Sequence, residues 1–476
     1  MTPQALDLLA RGADDATALA DHTQVLTRAR AREKADDIAR FLGDDGKQLV
    51  LVEAPRSVPG ALAYLAALRA GHAVMLVDAA GHGDLPAFIE RLRPDVVMGP
   101  ACVRAAGASP HYRGRTDDVP HVGVARRRAA GTRAVPPAPE LALVARTSGS
   151  TSEGRLVRLS YRNLAGNADA IAAATGIRTS DVVATSLRMD YSFGLSLFNS
   201  HLAAGAAVGL TEASPTTARF WADAERSGVT CIGMVPSTVR FVLEAPDLRT
   251  RMSRLRSVLV AGGPLQARHL RRLRETVAAS GSVFYMYGQT EATARMTCLP
   301  PALAAEHEGS VGVPVPGGRI EIRGPDGTPA EPGRPGEVYY RGPNVMLGYA
   351  RTRDDLALPD LLRGVLPTGD VGRLEDGVLY LEGRVDRQIK VLGERVNLDA
   401  VEAAAMTALG GTTVAAAVLT EPDEVHLYVE GGPDRLDRLR AQGLANLGVP
   451  PGCLRLRAVE HLPRTPSGKV RYLSLS

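Results

Sequence analysis

The stretch LALVARTSGSTSEGR, residues 141–155, joins an apolar run to a loop rich in hydroxyl groups and glycine. The run LALVAR has the length and composition of a buried strand. In the loop, glycines let backbone N–H groups approach a ligand, and serine and threonine hydroxyls donate further hydrogen bonds. Such a loop can surround phosphate oxygens, although a flexible surface loop has the same composition. It is not a Walker loop, because Gly154 is followed by Arg155 and Leu156 instead of lysine and a hydroxyl residue.

Short apolar runs alternate with helical patterns on the N-terminal side of this stretch. Residues 48–54, 73–79 and 95–100 are typical of buried strands. The apolar spacing between the first two strands indicates a helix that ends near Gly71. This β-α-β-α order predicts an α/β fold with parallel sheets and helices on their faces.

The composition of the chain changes twice towards its C-terminus. From about residue 317, frequent Gly-Pro turns between short alternating strands predict a small β-rich subdomain. After Arg384, a helical pattern at 398–409 and strand patterns at 413–420 and 424–430 predict a small α+β unit.

Composition and charge predict a globular protein without a nucleic-acid partner. The 476 residues favour two or more domains, and an apolar fraction of 45% allows a sizeable core. With a net charge of +4 and no long basic block, no nucleic-acid partner is expected. Residues 113–139 are interpreted as a surface connection, and the three arginines at 126–128 as a solvated loop.

Cysteine usage and the N-terminus predict the compartment. The four cysteines are far apart and form no CxxC pair, which predicts free thiols and neither a zinc site nor a disulfide framework. No run approaches the ~18 apolar residues of a membrane span. The acidic N-terminal segment is unlike a signal peptide, so a cytoplasmic location without a membrane span is expected.

The segment YMYGQTEAT, residues 285–293, carries side chains suited to nucleotide chemistry. Tyr287 offers a flat ring on which a base can stack. Thr290 offers a hydroxyl, and Glu291 offers a hard carboxylate ligand for Mg²⁺. Further along, Asp370 in LPTGDVGRLEDG is an acceptor suited to two neighbouring ribose hydroxyls.

Two later segments complete the pattern. GRVDRQIKVLGERVN spans residues 383–397, and TPSGKVRY spans residues 465–472. The second segment contains Lys469, one of four lysines in a chain whose other basic residues are arginines. Each segment is a weak signal alone, but their order and spacing are specific.

These motifs together resemble the acyl-adenylate-forming superfamily: acyl- and aryl-CoA synthetases, peptide-synthetase adenylation domains and luciferases. The resemblance extends from about residue 45 to the C-terminus. It implies that ATP and Mg²⁺ are bound, with the metal at Glu291, adenine on Tyr287 and the ribose at Asp370. The implied nucleotide ligands are Thr147, Ser148, Gly149, Ser150, Thr151, Gly262, Gly263, Tyr287, Gly288, Thr290, Asp370 and Arg384. The implied catalytic residues are Lys469, Glu291, Thr290 and Thr147.

The resemblance also implies two domains and a moving lid. A large N-terminal domain would cover residues 1–383, and a small mobile C-terminal domain would cover residues 384–476, with a hinge at Asp386. In the first conformation, Lys469 would bridge the acid carboxylate and the α-phosphate of ATP. A compact cation between two anions offsets their repulsion and stabilises the developing charge.

The second half of the implied reaction uses another face of the lid. After rotation about the hinge, the surface bearing Lys390, Gly393 and Arg395 would replace the one bearing Lys469. The thiol of CoA, or of a phosphopantetheine on a free-standing carrier protein, would then attack the acyl-AMP. The substrate would be a small-molecule carboxylic acid.

The implied acid pocket is mostly apolar. Its predicted residues are Asp190, Tyr191, Phe193, Gly194, Met234, Pro236 and Gly262. Asp190 aligns where amino-acid-activating relatives hold the substrate ammonium; alternatively, it pairs internally with an arginine such as Arg188. The phosphate loop departs from the family pattern T-G-x-P-K, and Arg155 could supply the charge of the missing lysine.

Two other functions stay open. The same adenylation chemistry can deliver the acyl group to an amine, and some relatives are reported to activate nitrite and diazotise an aryl amine. An inactive relative acting as a binding protein is a further alternative, but it would be expected to lack Glu291, Asp370 or Lys469, and all three are present.

Overall fold

The structure is a computed structural model of the 476-residue chain. The residues that it describes are 5–43, 46–54, 56–78, 85–115, 123–127, 135–147, 155–279, 281–411, 415–421, 423–442, 444–450, 452–464 and 470–475.

Helices and strands alternate through most of the described chain. The helices are α1 Arg28–Leu42, α2 Val58–Arg69, α3 Leu85–Leu92, α4 Pro100–Gly107, α5 Tyr161–Thr175, α6 Ser192–Ala203, α7 Ala218–Arg226, α8 Pro236–Glu244, α9 Pro246–Met252, α10 Ala267–Val277, α11 Leu398–Ala408 and α12 Pro433–Ala441. The strands are β1 Thr17–Ala20, β2 Val25–Thr27, β3 Leu49–Glu53, β4 Ala73–Val77, β5 Val96–Met98, β6 Tyr112–Arg115, β7 Val124–Arg127, β8 Leu141–Arg146, β9 Leu156–Ser160, β10 Val182–Ala184, β11 Ala207–Gly209, β12 Cys231–Met234, β13 Ser257–Val260, β14 Ser282–Tyr287, β15 Thr297–Leu299, β16 Val313–Pro314, β17 Arg319–Arg323, β18 Gly336–Arg341, β19 Gly348–Ala350, β20 Val365–Glu375, β21 Val378–Arg384, β22 Gln388–Val391, β23 Glu394–Asn397, β24 Ala415–Glu421, β25 Glu424–Glu430 and β26 Leu454–Val459.

The first large sheet contains the strands predicted from apolar runs. Among the described residues its order is β19-β9-β8-β4-β3-β5-β7-β6, and β8, β4, β3 and β5 run parallel. Alternate residues of a strand point to opposite faces. Val50 and Val52 accordingly belong to one hydrophobic cluster, whereas Leu49 and Leu51 belong to another. Both faces of this sheet are therefore covered, as the predicted α/β fold requires.

The second large sheet carries several of the predicted nucleotide residues, among them Gly262, Tyr287 and Thr290, at the carboxyl ends of its parallel strands. Its described order is β16-β15-β14-β13-β12-β10-β11-β1-β2, with parallel pairing from β14 to β1. Met234 pairs with Val260, and Val260 pairs with Tyr285. The segments that follow these residues, including Gly262 and Tyr287, therefore leave neighbouring strands at their carboxyl ends. In open α/β sheets, this edge is where ligands bind.

Two apolar helices fill the space between the large sheets. Helices α2 and α6 are buried around nearly their whole circumference. They share one hydrophobic cluster with Val50 of the first sheet and Ile232 of the second sheet. A helix that is apolar all round belongs in the centre of a protein.

The prediction of a surface connection over residues 113–139 was wrong in part. Strands β6 and β7 pair antiparallel there and extend the edge of the first sheet. The interpretation of residues 126–128 as a solvated loop was also wrong for the two arginines that lie in β7. The guanidinium of Arg126 stacks 4.8 Å from the ring centroid of Phe41, and Arg127 forms an ion pair with Asp95 at 3.2 Å. Long aliphatic stems let such arginines occupy partly buried positions.

The C-terminal third contains the predicted β-rich subdomain and the small α+β unit. Strands β17, β18, β20 and β21 form one antiparallel sheet. Beyond it lie the β22–β23 hairpin and the sheet β24-β25-β26, with α11 and α12. The buried members of one hydrophobic cluster in this region run from Val391 to Cys453, with Ile389, Leu454 and Leu456 packed against them. Strand β26, which pairs parallel with β25, was not predicted.

All four cysteines are buried free thiols, in agreement with the prediction. Within the described ranges, no helix has the length and apolarity needed to cross a membrane.

Candidate active site

The predicted phosphate loop connects two antiparallel strands, β8 and β9. Its two ends are joined by hydrogen bonds: the amide of Thr147 donates to the carbonyl of Arg155 at 2.9 Å, and the amide of Arg155 donates to Thr147 Oγ1 at 3.0 Å. This pairing fixes where the loop leaves the sheet and where it returns. Ser148, Gly149, Ser150 and Thr151 lie outside the described residues, so their roles stay predictions.

Thr290 and Glu291 lie in a short 3₁₀ turn that follows β14. The hydroxyl of Thr290 donates to Ser192 Oγ at 3.1 Å, which ties the turn to the first residue of α6. The hydroxyl of Tyr349 donates to Glu291 Oε1 at 2.8 Å. The guanidinium of Arg155 lies 5.3 Å from the Tyr349 ring centroid. Arg155, at the end of the predicted phosphate loop, and the Glu291 carboxylate therefore both contact Tyr349.

Glu291 has the properties of a magnesium ligand shared with a substrate. Mg²⁺ is usually held by one or two carboxylates together with waters and substrate phosphates. In the described part of the chain, no group of three or more His, Cys, Asp or Glu could hold a metal without a substrate. The partly exposed carboxylate of Glu291, beside the Thr290 hydroxyl, fits the first kind of site.

A second cluster brings together three predicted nucleotide residues from separate segments. The hydroxyl of Tyr287 donates to Asp370 Oδ2, and Arg384 Nη1 donates to Asp370 Oδ1 at 3.1 Å. Burial, followed by the nearby Asp370 charge, raises the pKa of Tyr287, so the phenol stays neutral and keeps its proton for Asp370. Gln289 Nε2 also donates to the carbonyl of Thr368 at 3.1 Å. These contacts join β14 to β20 and orient the Asp370 carboxylate.

The predicted acid-pocket residues meet where α6 faces β12 and β13. The rings of Tyr191 and Phe193 pack edge to face with centroids 6.3 Å apart. Gly262 has a φ of 95°, and a Cβ there would lie 2.6 Å from the Tyr191 hydroxyl oxygen. A larger residue would thus be strained and would displace Tyr191. Met234 is fully buried beneath this wall.

Close packing explains two further predicted glycines, Gly194 and Gly288, but not Gly263. A Cβ at Gly194 would lie 2.1 Å from the carbonyl oxygen of Arg188, and one at Gly288 would lie 2.1 Å from the carbonyl oxygen of Ala294. At Gly263, a Cβ would meet Pro236 only at an ordinary 3.7 Å. The first two glycines are therefore required by the fold, whichever ligand is bound.

Asp190 pairs internally with Arg188, as the second of the two alternatives predicted. Arg188 Nε donates to Asp190 Oδ1 at 2.9 Å, and Arg188 Nη2 contacts the other oxygen. Arg188 Nη1 lies 3.2 Å from Asp78 Oδ2. The hydrogen bond from Arg188 to Asp190 raises the pKa of the guanidinium, which strengthens this pair.

Because both oxygens of Asp190 are engaged, we expect Asp190→Ala to lower kcat/KM for amino-bearing and plain acids by a similar factor. The variant leaves the partly buried Arg188 without its bidentate partner, so the helix start at Ser192 should shift for every substrate. Steady-state kinetics with matched acid pairs, such as 3-aminobenzoate and 3-methylbenzoate, measure this. Arg188→Met, which breaks the same pair from the other side, serves as the matched control. A loss confined to amino-bearing acids would contradict the expectation.

Side chains of the predicted hinge region contact the C-terminal segment. Arg387, next to Asp386, forms ion pairs with Asp399 and Glu402. Its guanidinium carbon lies 4.0 Å from the ring centroid of Tyr472, whose hydroxyl donates to Glu402 at 3.1 Å. Lys469 lies outside the described residues, but Tyr472, three positions further on, contacts Arg387 beside the predicted hinge residue Asp386.

The residues predicted to act in the second step lie on the β22–β23 hairpin. Lys390 is exposed and pairs in register with Arg395. Leu392 and Gly393 form the two-residue turn, with φ values of 50° and 83°. Two positive φ values are typical of the tight turns of β-hairpins, which explains the glycine. The geometry places Lys390 and Gly393 on a solvent-facing element.

Sequence reasoning missed two residues of this region, Tyr349 and Arg295. Tyr349 lies in β19, which pairs with β9, and its contact with Glu291 joins positions 58 residues apart. Arg295 lies between Ala294 and Met296, and its side chain is 2% exposed. The sequence around Arg295, ATARMT at residues 292–297, does not distinguish it from the many other arginines of the chain.

We expect Tyr349→Phe to raise the Mg²⁺ concentration needed for half-maximal activity by about 10-fold, because it removes the hydrogen bond that orients Glu291. The ring, and its contact with Arg155, are retained. A magnesium titration at saturating ATP measures the effect. Tyr339→Phe, which removes a phenol from a different sheet, serves as the control and should leave the magnesium requirement unchanged. An unaltered requirement in Tyr349→Phe would exclude this positioning role.

The fold and the clustered site define a nucleotide-binding α/β enzyme with a small C-terminal unit. The solved amide bond synthetase McbA from Marinactinospora thermotolerans superposes with a TM-score of 0.78 at 25% identity, covering 98% of this chain and 97% of that chain. The model of the AMP-binding enzyme family matches residues 7–350, so this chain belongs to that family. The predicted membership of the acyl-adenylate-forming superfamily is therefore confirmed.

Two relatives indicate the enzyme class. The chain is 30% identical over 349 residues to a sulfoacetate–CoA ligase of Cupriavidus necator, covering 71% of this chain and 68% of the relative. It is 31% identical over 359 residues to an L-proline–[L-prolyl-carrier protein] ligase of Streptomyces coelicolor, covering 71% and 66%. The matches thus span about two thirds of the relatives' own lengths. They confirm the predicted class of AMP-forming ligase.

Proposed function

We propose that the protein adenylates a small-molecule carboxylic acid with ATP and then transfers the acyl group to a thiol. The first step would form acyl-AMP and pyrophosphate, and the second would release AMP. The observation that carries this proposal is the convergence of Thr290, Glu291 and Arg155 next to the Tyr287–Asp370–Arg384 cluster. Phosphate, magnesium, base and ribose partners would then lie along one edge of the second sheet.

The nucleotide would be held from both ends. Asp370, already oriented by Tyr287 and Arg384, offers carboxylate oxygens to the ribose hydroxyls. The Tyr287 hydroxyl is engaged with Asp370, which leaves its ring for stacking on adenine. At the other end, the loop between Thr147 and Arg155 would enclose the terminal phosphates. Mg²⁺ held at Glu291 would supply neutralising charge to those phosphates.

The acid would enter between Tyr191, Phe193 and Gly262. Its carboxylate oxygen would attack the α-phosphorus, and the bond between the α- and β-phosphates would break. Thr290 would donate its hydroxyl to the α-phosphate, where negative charge develops. We propose that Lys469 lies between the two anions during this step, as the family resemblance implies.

For the second step we propose that residues 384–476 rotate as a lid about Asp386. Support for this division comes from the hydrophobic cluster that begins at Val391 and from the exposed hairpin bearing Lys390. Rotation would bring Lys390, Gly393 and Arg395 to the acyl-AMP. The incoming thiol would attack the acyl carbon, and AMP would leave with the oxygen that came from the acid.

The acceptor is proposed to be CoA or the phosphopantetheine of a free-standing carrier protein. The ligases of Cupriavidus necator and Streptomyces coelicolor named above use these two kinds of acceptor, by their names. An amine acceptor is the second candidate, and its support is the similarity over nearly the whole chain to an amide bond synthetase.

Pyrophosphate release from ATP and Mg²⁺ with a panel of acids tests the proposal. The panel contains short, medium and long fatty acids, benzoates, cinnamates, dicarboxylic acids, amino acids, aminoaryl acids and nitrite, each with CoA, with an aryl or alkyl amine, or with neither. Acid-dependent release that CoA accelerates is the expected result. Acceleration by amines alone would favour the amide ligase, and release with nitrite and an aryl amine would favour the diazotase. No acid-dependent release would contradict the proposal.

A further inference from the structure

Arg295 is a buried cation in the wall of the candidate acid pocket. Its side chain is 2% exposed, and its guanidinium carbon lies 3.9 Å from the ring centroid of Phe193. Tyr191 is near enough to interact electrostatically with it. Tyr191 and Phe193 are the two rings proposed above to contact the acid. The Arg295 guanidinium therefore lies next to both aromatic rings of the candidate acid pocket.

The guanidinium has more donors than the protein uses. Nη1 donates to the carbonyl of Ala294 at 2.7 Å, but Nε and Nη2 are buried without an acceptor among the described residues. No described carboxylate lies within ion-pair distance of it. Arg158, equally buried, instead donates to four backbone carbonyls. Arg353 combines two backbone carbonyls with an ion pair to Asp95 at 2.7 Å.

A buried charge without an anion is costly. Burial lowers the pKa of Arg295 to about 10, so the side chain is still protonated at neutral pH. The face of Phe193 offsets part of the cost through its ring quadrupole. The ring does not accept hydrogen bonds from Nε and Nη2, which have no acceptor among the described residues. An incoming anion with two oxygens would satisfy both and match the planar fork of the guanidinium.

We propose that Arg295 binds a second anionic group on the acid substrate, so that the preferred acid carries a carboxylate at each end or a carboxylate and a sulfonate. This inference rests on the proposed adenylation. The reacting carboxylate would lie at Thr290, and the second group would reach past Tyr191 and Phe193 to Nε and Nη2 of Arg295. Gly288, two residues before Thr290, packs against the backbone of Arg295, and a Cβ on this glycine would lie 2.8 Å from Arg295 Cα.

Acid-dependent exchange of labelled pyrophosphate into ATP, measured with matched pairs of acids, tests the inference. Each diacid is compared with the monoacid in which a methyl group replaces the second carboxylate: malonate with propionate, succinate with butyrate, and terephthalate with 4-methylbenzoate. Sulfoacetate and 3-sulfopropionate test the sulfonate. The wild-type enzyme should favour at least one dianionic acid over its partner by about 100-fold in kcat/KM, since leaving a buried charge unpaired is expensive.

The variants separate recognition from packing. Arg295→Met retains an unbranched apolar side chain beside Phe193 but removes the charge, so kcat/KM for each diacid should fall much further than kcat/KM for its matched monoacid. Arg295→Lys should recover part of the preference. Arg188→Met, at the paired arginine of the same pocket, should affect diacids and monoacids equally. Melting temperature and ATP affinity of each variant identify any folding defect.

The outcomes are distinguishable. Wild-type exchange with monoacids and no preference for any dianion would overturn the role of Arg295 while leaving the adenylation in place. An equal loss on both kinds of acid in a folded Arg295→Met would assign the residue to the reacting carboxylate or to packing, and would also overturn it. No exchange with any acid would overturn the proposed adenylation, and with it this inference. Because Arg295 titrates only near pH 10, the preference should persist from about pH 6 to 9.

Discussion

Glu291→Gln should lower kcat for acid-dependent pyrophosphate release by about 100- to 1,000-fold. The substitution keeps the shape of the side chain and its hydrogen bond from Tyr349 but removes the negative charge that would hold Mg²⁺. Without that charge, the terminal phosphates of ATP would not be neutralised as pyrophosphate leaves. Rates measured across a magnesium titration separate two causes of the loss. If the variant only binds the metal weakly, excess Mg²⁺ restores the rate; if the catalytic geometry is lost, excess Mg²⁺ does not restore it.

Glu308→Gln is the matched control for that experiment. Glu308 forms an exposed ion pair with Arg271 at 2.6 Å, and such pairs contribute little to stability. This variant should therefore keep wild-type activity and magnesium dependence. A Glu291→Gln enzyme that retained full activity at low Mg²⁺ would remove Glu291 from the metal site and leave the candidate site without its proposed ligand.

Lys469→Ala and Lys390→Ala should block opposite halves of the reaction. Lys469→Ala should lower acid-dependent pyrophosphate exchange by about 100- to 1,000-fold, because the two anions would meet without a compact cation between them. It should still convert added acyl-AMP to the thioester. Lys390→Ala should keep the exchange and lose most of the thioester formation, because Lys390 lies on the exposed hairpin proposed to reach the site after rotation.

Separate assays of the two half-reactions measure this pair of predictions. Lys34→Ala, at a lysine on α1, provides the control and should behave as the wild type in both assays. Equal losses in both half-reactions for either lysine would contradict a lid with two working faces. Full activity of both variants would contradict the roles carried over from the family resemblance.

The parallel core could be predicted because its signals are local. Residues 48–54, 73–79 and 95–100 are apolar runs of strand length, and they form β3, β4 and β5. Strand β7 could not be predicted in the same way. Its arginines make β7 look like a solvated segment. They are accommodated by Phe41 in α1 and by Asp95 just before β5, and neither partner is visible in the sequence of β7 itself. Strand β26 is likewise stabilised by parallel pairing with β25, a contact invisible in its own sequence.

The proposed nucleotide residues were predicted from the order of their motifs and the family resemblance that it carries, and the structure adds which of them contact one another. The contacts of Tyr287 and Arg384 with Asp370 join positions far apart in sequence. Arg295 could not be singled out from the sequence, since nothing local reveals that Nε and Nη2 have no acceptor within the described part of the chain. The choice between the two interpretations of Asp190 also needed the position of the Arg188 guanidinium.

The fate of the acid's own oxygen distinguishes an acyl-adenylate from other activated acids. An acid found active in the panel is labelled with ¹⁸O in its carboxylate and converted with ATP, Mg²⁺ and CoA, and the products are analysed by mass spectrometry. Attack of the carboxylate on the α-phosphorus, followed by cleavage of the acyl carbon–oxygen bond, predicts one labelled oxygen in AMP and none in pyrophosphate. Label in inorganic phosphate, or AMP without label, would contradict an acyl-adenylate and the account built on it.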